Sequence, residues 1–386
     1  MNMKGNGKGH FQLKQVIKQA VQNVVLPVCY AANRRKATDP TLVVFADAHH
    51  NERPAAMELL YQRLKKSGKY RIMEHYLDYG SAGAAAIAKH STRFMKLYAE
   101  AGFVVICDNF LPAASCRKKP ATKVIQLWHA CGCYKKFGYD AEDDIPDNYH
   151  GANVYRNTDL VTVSGKAAQA PFASAMRLPQ SCIKPLGVSR TDLFFDEKWV
   201  ENCRADFYRQ YPEAGGKKIV LWAPTFRGNA GRPELIRLDL WKLQAALGED
   251  YLVLAKLHPH MYTSAGLSEK QLSFLCPIPT EQLYPVADIL IADYSSLIYE
   301  YLLFRKPVVL YVPDLEEYRS RRGFYMDIEE IPGAVVQKEE DLPSAIRSGM
   351  VRDEALDSFL SRYMGSCDGA STQRIGQWME LQIQNR

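Results

Sequence analysis

The sequence has no acidic residue among its first 36, no cysteine spacing that suits a disulfide framework, and no apolar N-terminal stretch long enough to cross a bilayer. It also contains no internal repeat of short period and no low-complexity block. Each absence excludes something. The nine cysteines are odd in number and irregular in spacing, which argues against a stapled secreted scaffold and for a reducing compartment. Cys131 and Cys133 form a CxC, but no second pair lies at zinc-ligand spacing, so no metal is expected. The apolar positions between Phe11 and Val28 fall well short of the roughly 20 residues that span a membrane. No small-residue cleavage site follows them, so they do not read as a signal peptide.

What is present is ordinary globular composition, with 47% hydrophobic and 24% charged residues in a chain of 386, a length that suits two domains. The 22 Tyr and 15 Phe argue against wholesale disorder. The formal charge of +6 is unevenly placed. Lys4, Lys8, Lys14, Lys18, Arg34, Arg35 and Lys36 all fall in residues 1–36, which leaves 42 bases against 43 acids in the rest. A nucleic-acid enzyme spreads a basic stripe over its folded surface. A neutral body with one basic arm points instead to an anionic membrane surface and to no nucleic acid. Within the arm, Leu13, Val16, Ile17, Ala20, Val21, Val24, Val25 and Val28 recur at helical spacing. The pattern predicts a basic amphipathic helix, limited at Pro27, that docks on the membrane; the alternative is an ordinary helix packed on the body.

Beyond the arm, short apolar strands alternate with helices. The strands are expected at 41–46, 103–107, 123–127 and 159–163, then at 218–222, 251–256, 288–292 and 307–312, with a helix over 55–66 and a helical C-terminus over 352–386. This is the signature of parallel, doubly wound α/β sheets. Two Rossmann-type domains are expected, 37–190 and 191–386, facing a cleft that takes ligands at the strands' carboxyl ends.

The motifs fall at such ends. In QLWHACGCYKKFGYD (126–140), His129 follows a strand directly and could take the proton of an attacking hydroxyl. The competing reading is a satisfied buried histidine. Lys135 and Lys136 could hold an anionic acceptor or form a solvated face. In LAKLHPH (254–260), Lys256 and His258 are two apart and would share one face of a strand, which suits a pyrophosphate. Asp293-Tyr294-Ser295-Ser296 closes a strand and opens a helix, where the two hydroxyls could serve a phosphate, a cap, or both. Thr225 and Arg227 in WAPTFRG, and Arg322 and Gly323 in RRGFYMD, follow strands of the second unit; either arginine could bind phosphate in a fork, and Glu316 could accept from polyol hydroxyls. Each of these taken singly is also met as a turn, a cap or a surface charge.

Together the pieces QLWHACGCYKKFG, GVSRTD (187–192), WAPTFR, LAKLHPH, DILIADYSSLIYEYLLFRKPVVLY and EEYRSRRGFYMD resemble the CDP-glycerol glycerophosphotransferase family of teichoic acid synthesis. The resemblance runs in family order over about residues 100–330. It implies a GT-B-like fold and transfer of a polyol phosphate from a CDP-polyol to an alcohol, with release of CMP and no cofactor. His129 would be the general base; His258, Ser295 and Ser296 would hold the donor pyrophosphate. The expected partners are CDP-glycerol and an undecaprenyl-type lipid-linked saccharide, met at the cytoplasmic face of the membrane.

The chain departs from many polymerases of the family in reading His129-Ala130-Cys131-Gly132 where they read HGTP, and in lacking their long N-terminal domain. Both features resemble the shorter primase-type members. Ser189 and Thr191 depart from the more usual G-x-P-R-N-D. His49 and His50, after the first strand, are acceptor-side candidates. A CDP-ribitol-dependent or polymerising relative, a nucleotide-sugar transferase on the same fold, and a degenerate membrane scaffold are the alternatives.

Overall fold

The computed structural model describes residues 19–141, 144–145, 152–225, 227–229, 232–234, 236–257, 272–349, 351 and 353–385. The chain divides into two compact units. Unit 1 comprises Met1–His129, Phe137–Arg190 and Ala370–Arg386; unit 2 comprises Ala130–Lys136 and Thr191–Gly369.

Unit 1 is built on strands β1 (Asp39–Asp47), β2 (Arg71–Tyr76), β3 (Ala101–Ile106), β4 (Lys123–Gln126), β5 (Thr158–Thr162) and β6 (Ile183–Lys184). They form one parallel sheet in the order β2-β1-β3-β4-β5-β6. Successive side chains of a strand point to opposite faces. Accordingly Leu42, Val44 and Ala46 of β1 pack with Phe94 and Tyr98 of the helix Ala84–Glu100, while Val43 and Phe45 pack with Met57 and Leu60 of the helix Ala55–Ser67. Burial on both faces is why β1 and β3 read as continuous apolar runs. Strand β2 escaped the sequence reading because Arg71, Glu74 and His75 break its apolar pattern.

Two terminal segments complete unit 1. The chain is helical from Gln19 to Asn33 and does not stop at Pro27 as expected. Val21–Val25 forms a π turn, with the Leu26 N–H donating to the Val21 carbonyl, and Pro27 falls in the first turn of the α-helix Leu26–Asn33. Proline has no N–H to pair, and the π turn just before it shifts the hydrogen-bond register where it enters the helix. Leu26 and Tyr30 enter the core on the Phe94 side of the sheet, and Gln22 on the same face is buried. Val24, Val25 and Val28 face outward, at 60%, 44% and 63% exposure.

The C-terminal helix Ser371–Gln384 was expected with the second domain, yet it packs in unit 1. Ile375 and Met379 join the Met57 side of the core, and Thr372 bonds to buried Ser189 at 2.8 Å.

Unit 2 holds β7 (Lys218–Trp222), the antiparallel ribbon of β8 (Arg227–Asn229) and β9 (Arg232–Glu234), then β10 (Tyr251–Ala255), β11 (Ile289–Ala292), β12 (Val308–Tyr311) and β13 (Ala334–Val336). Its parallel sheet has the order β10-β7-β11-β12-β13. In each unit the first strand of the parallel sheet lies second from one edge, with the next strand of that sheet (β2 or β10) at the edge and the one after (β3 or β11) on its other side. The order therefore reverses between β1 and β3 in unit 1 and between β7 and β11 in unit 2. A doubly wound sheet offers its ligand crevice at that reversal, at the carboxyl ends. Among the described residues no helix is long and apolar enough to cross a membrane.

Candidate active site

In unit 1 the site begins where β4 ends. The Gln126 side chain is buried; its Oε1 accepts the Trp128 N–H at 3.0 Å and its Nε2 donates to the Asp108 carbonyl at 3.0 Å. The chain then turns through Trp128 at φ +58°, a conformation bulky residues rarely adopt. Such strain persists where packing over-determines it. The Trp128 ring stacks on His129 at 4.6 Å and meets Phe137 and Phe172 at 5.2 and 5.8 Å. His129 Nδ1 lies 3.1 Å from the Cys107 carbonyl oxygen and 3.6 Å from Asp108 Oδ2. A carbonyl can only accept, so Nδ1 carries a hydrogen, and in the neutral ring the lone pair is then on Nε2. With its side chain 47% exposed, His129 is a held, solvent-reached imidazole rather than a buried core histidine.

His50, after β1, is held in a similar way. Its Nδ1 donates to the buried Asp47 carboxylate at 2.9 Å, and the same oxygen accepts the His49 N–H at 2.7 Å. The other two acceptor-side candidates, Lys135 and Lys136, belong to unit 2.

In unit 2 the hub is Asp293, which directly follows β11 and is 1% exposed. Its carboxylate accepts the Thr225 N–H at 2.9 Å, the Tyr294 N–H at 2.6 Å and Arg227 Nη1 at 2.8 Å, so it ties the turn after β7 to the turn after β11. Thr225 Oγ1 is buried and meets no partner among the described residues, which leaves a hydroxyl available at this reversal. The sequence reading expects Arg227 to offer its fork to a phosphate; the structure turns that fork to Asp314 instead. Nε and Nη2 engage Asp314 at 2.7 and 3.0 Å, and the guanidinium lies 4.8 and 4.9 Å from the Tyr294 and Tyr318 rings. Burial opposes its charge, but Asp314 and Asp293 outweigh that and raise its pKa. Arg227 and Asp293 therefore hold the frame of the crevice.

Ser295 and Ser296 precede the helix Leu297–Leu302. Ser295 Oγ accepts the Leu297 N–H at 3.4 Å, while Ser296, at the cap position, makes no side-chain capping bond. Plain capping thus does not account for Ser296. Lys306, in the Lys-Pro pair that follows, donates to the carbonyls of Tyr284, Pro285 and Ala287; burial lowers its pKa to about 8, and it acts as a strut. Lys256, whose pKa burial also lowers, donates to the Cys276 and Pro277 carbonyls at 3.2 and 3.3 Å. His258 lies outside the described residues. Glu316 is 80% exposed and pairs with Arg319.

The segment Ala130–Lys136, expected in the first domain, is clamped within unit 2. Lys135 bridges to Phe324, Tyr325 N–H donates to the Tyr134 carbonyl, and Arg322 Nε donates to the Lys136 carbonyl at 2.9 Å. Tyr134 stacks on Phe324 at 4.7 Å. Gly132 (φ +67°) lies under the Tyr299 ring, and an added Cβ would stand 2.2 Å from that ring. Gly323 (φ +73°) leaves room for the Lys136 side chain, 2.9 Å from where its Cβ would be. Lys135, Lys136, Arg322 and Gly323 therefore share one ribbon.

The sequence reading missed Asp47, Asp108 and Asp314. Each stands at, or within three residues of, the carboxyl end of a parallel strand, and that position was the available signal.

Residues 28–381 match the family CDP-Glycerol:Poly(glycerophosphate) glycerophosphotransferase. The chain is 34% identical over 355 residues to the teichoic acid ribitol-phosphate primase of Bacillus spizizenii, covering 87% of this chain and 90% of that one. It is 29% identical over 345 residues to the teichoic acid poly(ribitol-phosphate) polymerase of the same organism, and there it spans 55% of the relative's length. The structure of the wall teichoic acid polymerase TagF superposes with a TM-score of 0.72 at 20% identity, over 97% of this chain and 98% of that one, which gives this protein the same GT-B-like α/β fold. The chain belongs to the CDP-glycerol:poly(glycerophosphate) glycerophosphotransferase family, among the primases and polymerases of teichoic acid synthesis.

Proposed function

We propose that this protein is a primase-type alditolphosphotransferase, which moves one alditol phosphate from a CDP-alditol to a lipid-linked saccharide and releases CMP. The observation that carries this reading is the 34% identity over 355 residues to a teichoic acid primase, above the 29% over 345 residues to a polymerase. The sequence reading expects CDP-glycerol as donor. CDP-ribitol is the second reading, and the ribitol-phosphate primase match favours it.

In this reading His129 Nε2 takes the proton of the attacking acceptor hydroxyl. The oxygen bonds to the alditol-bearing phosphorus while the bond from that phosphorus to the CMP oxygen breaks. Positioning and charge stabilisation carry such a transfer, since the protein forms no covalent bond. Thr225, Ser295, Ser296, Lys256, His258 and Arg322 are proposed to hold the donor's phosphates, with Asp293 and Arg227 framing them.

The same reading places the enzyme peripherally on the cytoplasmic face of the membrane. Ala20, Val24, Val28 and Ala31 recur every three or four residues along the outward face of the N-terminal helix, next to exposed Arg34 and Arg35. An apolar stripe beside bases suits an anionic lipid surface. Incubating the protein with CDP-glycerol or CDP-ribitol and a synthetic lipid-linked disaccharide, then weighing the product by mass spectrometry, tests the proposal. One added unit supports it; a long polymer, or no transfer from either donor, contradicts it.

A further inference from the structure

A second imidazole is built into the crevice of unit 1, and the reading above gives it no role. Strand β1 ends at Asp47, whose side chain is 1% exposed. A carboxylate that deep needs its lone pairs filled. Oδ2 accepts from His49 N and His50 Nδ1 at 2.7 and 2.9 Å, and Oδ1 faces the Cys107 thiol at 3.8 Å. Burial and the neighbouring Asp47 carboxylate push the thiol's pKa well up, so it stays protonated and donates. These groups lie in the turns after β1 and β3, the two strands between which the order reverses. Cys107 joins them to the base: its thiol meets Asp47 and its carbonyl holds His129.

The consequence falls on His50. Its Nδ1 is committed to Asp47, its side chain is 55% exposed, and Nε2 is therefore offered to solvent in a fixed orientation. Stability does not explain this, because burying a carboxylate to orient an exposed ring is a poor source of folding energy. The surroundings narrow the ligand. Asp108 lies beside His129, and Asp78 is within electrostatic reach of His49, while Arg190 lies near Cys107. Of the charged groups these contacts name, the carboxylates Asp47, Asp78 and Asp108 outnumber the Arg190 guanidinium, which disfavours an anion. A hydroxyl both donates and accepts, and so suits carboxylates and imidazoles alike.

We propose that His50, held by Asp47, binds the hydroxyl-bearing end of the acceptor next to His129, through a hydrogen bond from Nε2 to a polyol or sugar hydroxyl. The proposal rests on the transfer reaction proposed above and adds which end of the acceptor this crevice takes.

The test compares wild type with His50→Ala and His50→Gln on a short-chain, soluble lipid-diphosphate disaccharide. His50→Ala should raise the acceptor KM about tenfold, the size of one lost hydrogen bond, and leave the donor KM unchanged. An acceptor analogue deoxygenated at its terminal hydroxyls should bind wild type as weakly as the parent binds His50→Ala, and the two losses should not add. An active wild type with an unaltered acceptor KM in both variants overturns this proposal alone. So does a deoxy penalty that is undiminished in His50→Ala, or a loss that follows removal of the acceptor's diphosphate. A wild type inactive with both CDP-alditols overturns the transfer reading and this proposal together.

Discussion

The Nδ1–H of His129 donates to the Cys107 carbonyl at 3.1 Å, across the gap between two neighbouring parallel strands. That bond fixes the tautomer of a half-exposed imidazole and aims Nε2 outward. The carboxylate of Asp108 stands 3.6 Å from the same nitrogen, where it would balance the imidazolium that the proposed proton transfer forms.

The first prediction follows directly. A positioned general base contributes about 10²–10⁴-fold in rate. His129→Ala should lower kcat by that order while CDP-alditol binding, measured by calorimetry, survives. Asp108→Asn should lower kcat less than His129→Ala does, with the donor KM unchanged. Near wild-type turnover in His129→Ala would move the base elsewhere.

Arg227 separates frame from ligand. Its guanidinium is paired with Asp293 at 2.8 Å and Asp314 at 2.7 Å between two tyrosine rings. Removing one partner of a buried pair costs about 3–5 kcal/mol. Arg227→Ala should show that loss in urea unfolding, and Arg227→Lys should restore little because an ammonium cannot fork to Asp314. A fully stable Arg227→Ala with weakened donor binding would return the residue to the ligands.

Stability should also depend on pH through a pair of histidines in unit 1. His75 and His90 stack at 3.6 Å. Burial, and then repulsion from each other or from Arg93, lowers both pKa values to about 4 from 6.5. The unfolded chain therefore binds more protons than the folded one between those values, so stability rises with pH across the window. Their contribution is fully present above pH 6.5 and is lost as pH falls toward 4. Urea midpoints at pH 7 and pH 5 should differ more in wild type than in a His75→Asn, His90→Gln double variant; equal differences would remove the pair from the account.

The N-terminal arm gives a fourth prediction. Replacing Lys14, Lys18, Arg34, Arg35 and Lys36 with Glu should release the protein from anionic vesicles at low salt, and Val24→Asp with Val28→Asp should do so at any salt. Turnover on a soluble acceptor should be spared. Unchanged vesicle co-sedimentation in both variants would exclude the arm from membrane binding.

Much of this was legible in the sequence because it depends on local pattern. The apolar runs of β1, β3, β7 and β11 announced buried parallel strands, and the polar residues after them marked the crevices. What was hidden depends on long-range pairing. The helix Ser371–Gln384 joins unit 1 through Ile375, Met379 and the Ser189–Thr372 bond, none of which a local window can see. Segment 130–136 joins unit 2 because Gly132 admits the Tyr299 ring and Tyr134 stacks on Phe324. Arg227 looked like a phosphate ligand until Asp314, 87 residues away in the chain, was found against it. Pro27 looked like a helix stop, but a π turn carries the helix past it.

The most direct measurement is the mass of the product made on a synthetic lipid-linked disaccharide with CDP-glycerol and CDP-ribitol supplied separately. The account predicts a mass increase of one alditol phosphate from one of the two donors, matched by one equivalent of CMP, and no increase with His129→Ala. A ladder of many units, transfer from a UDP-sugar instead, or full activity without His129 would contradict it.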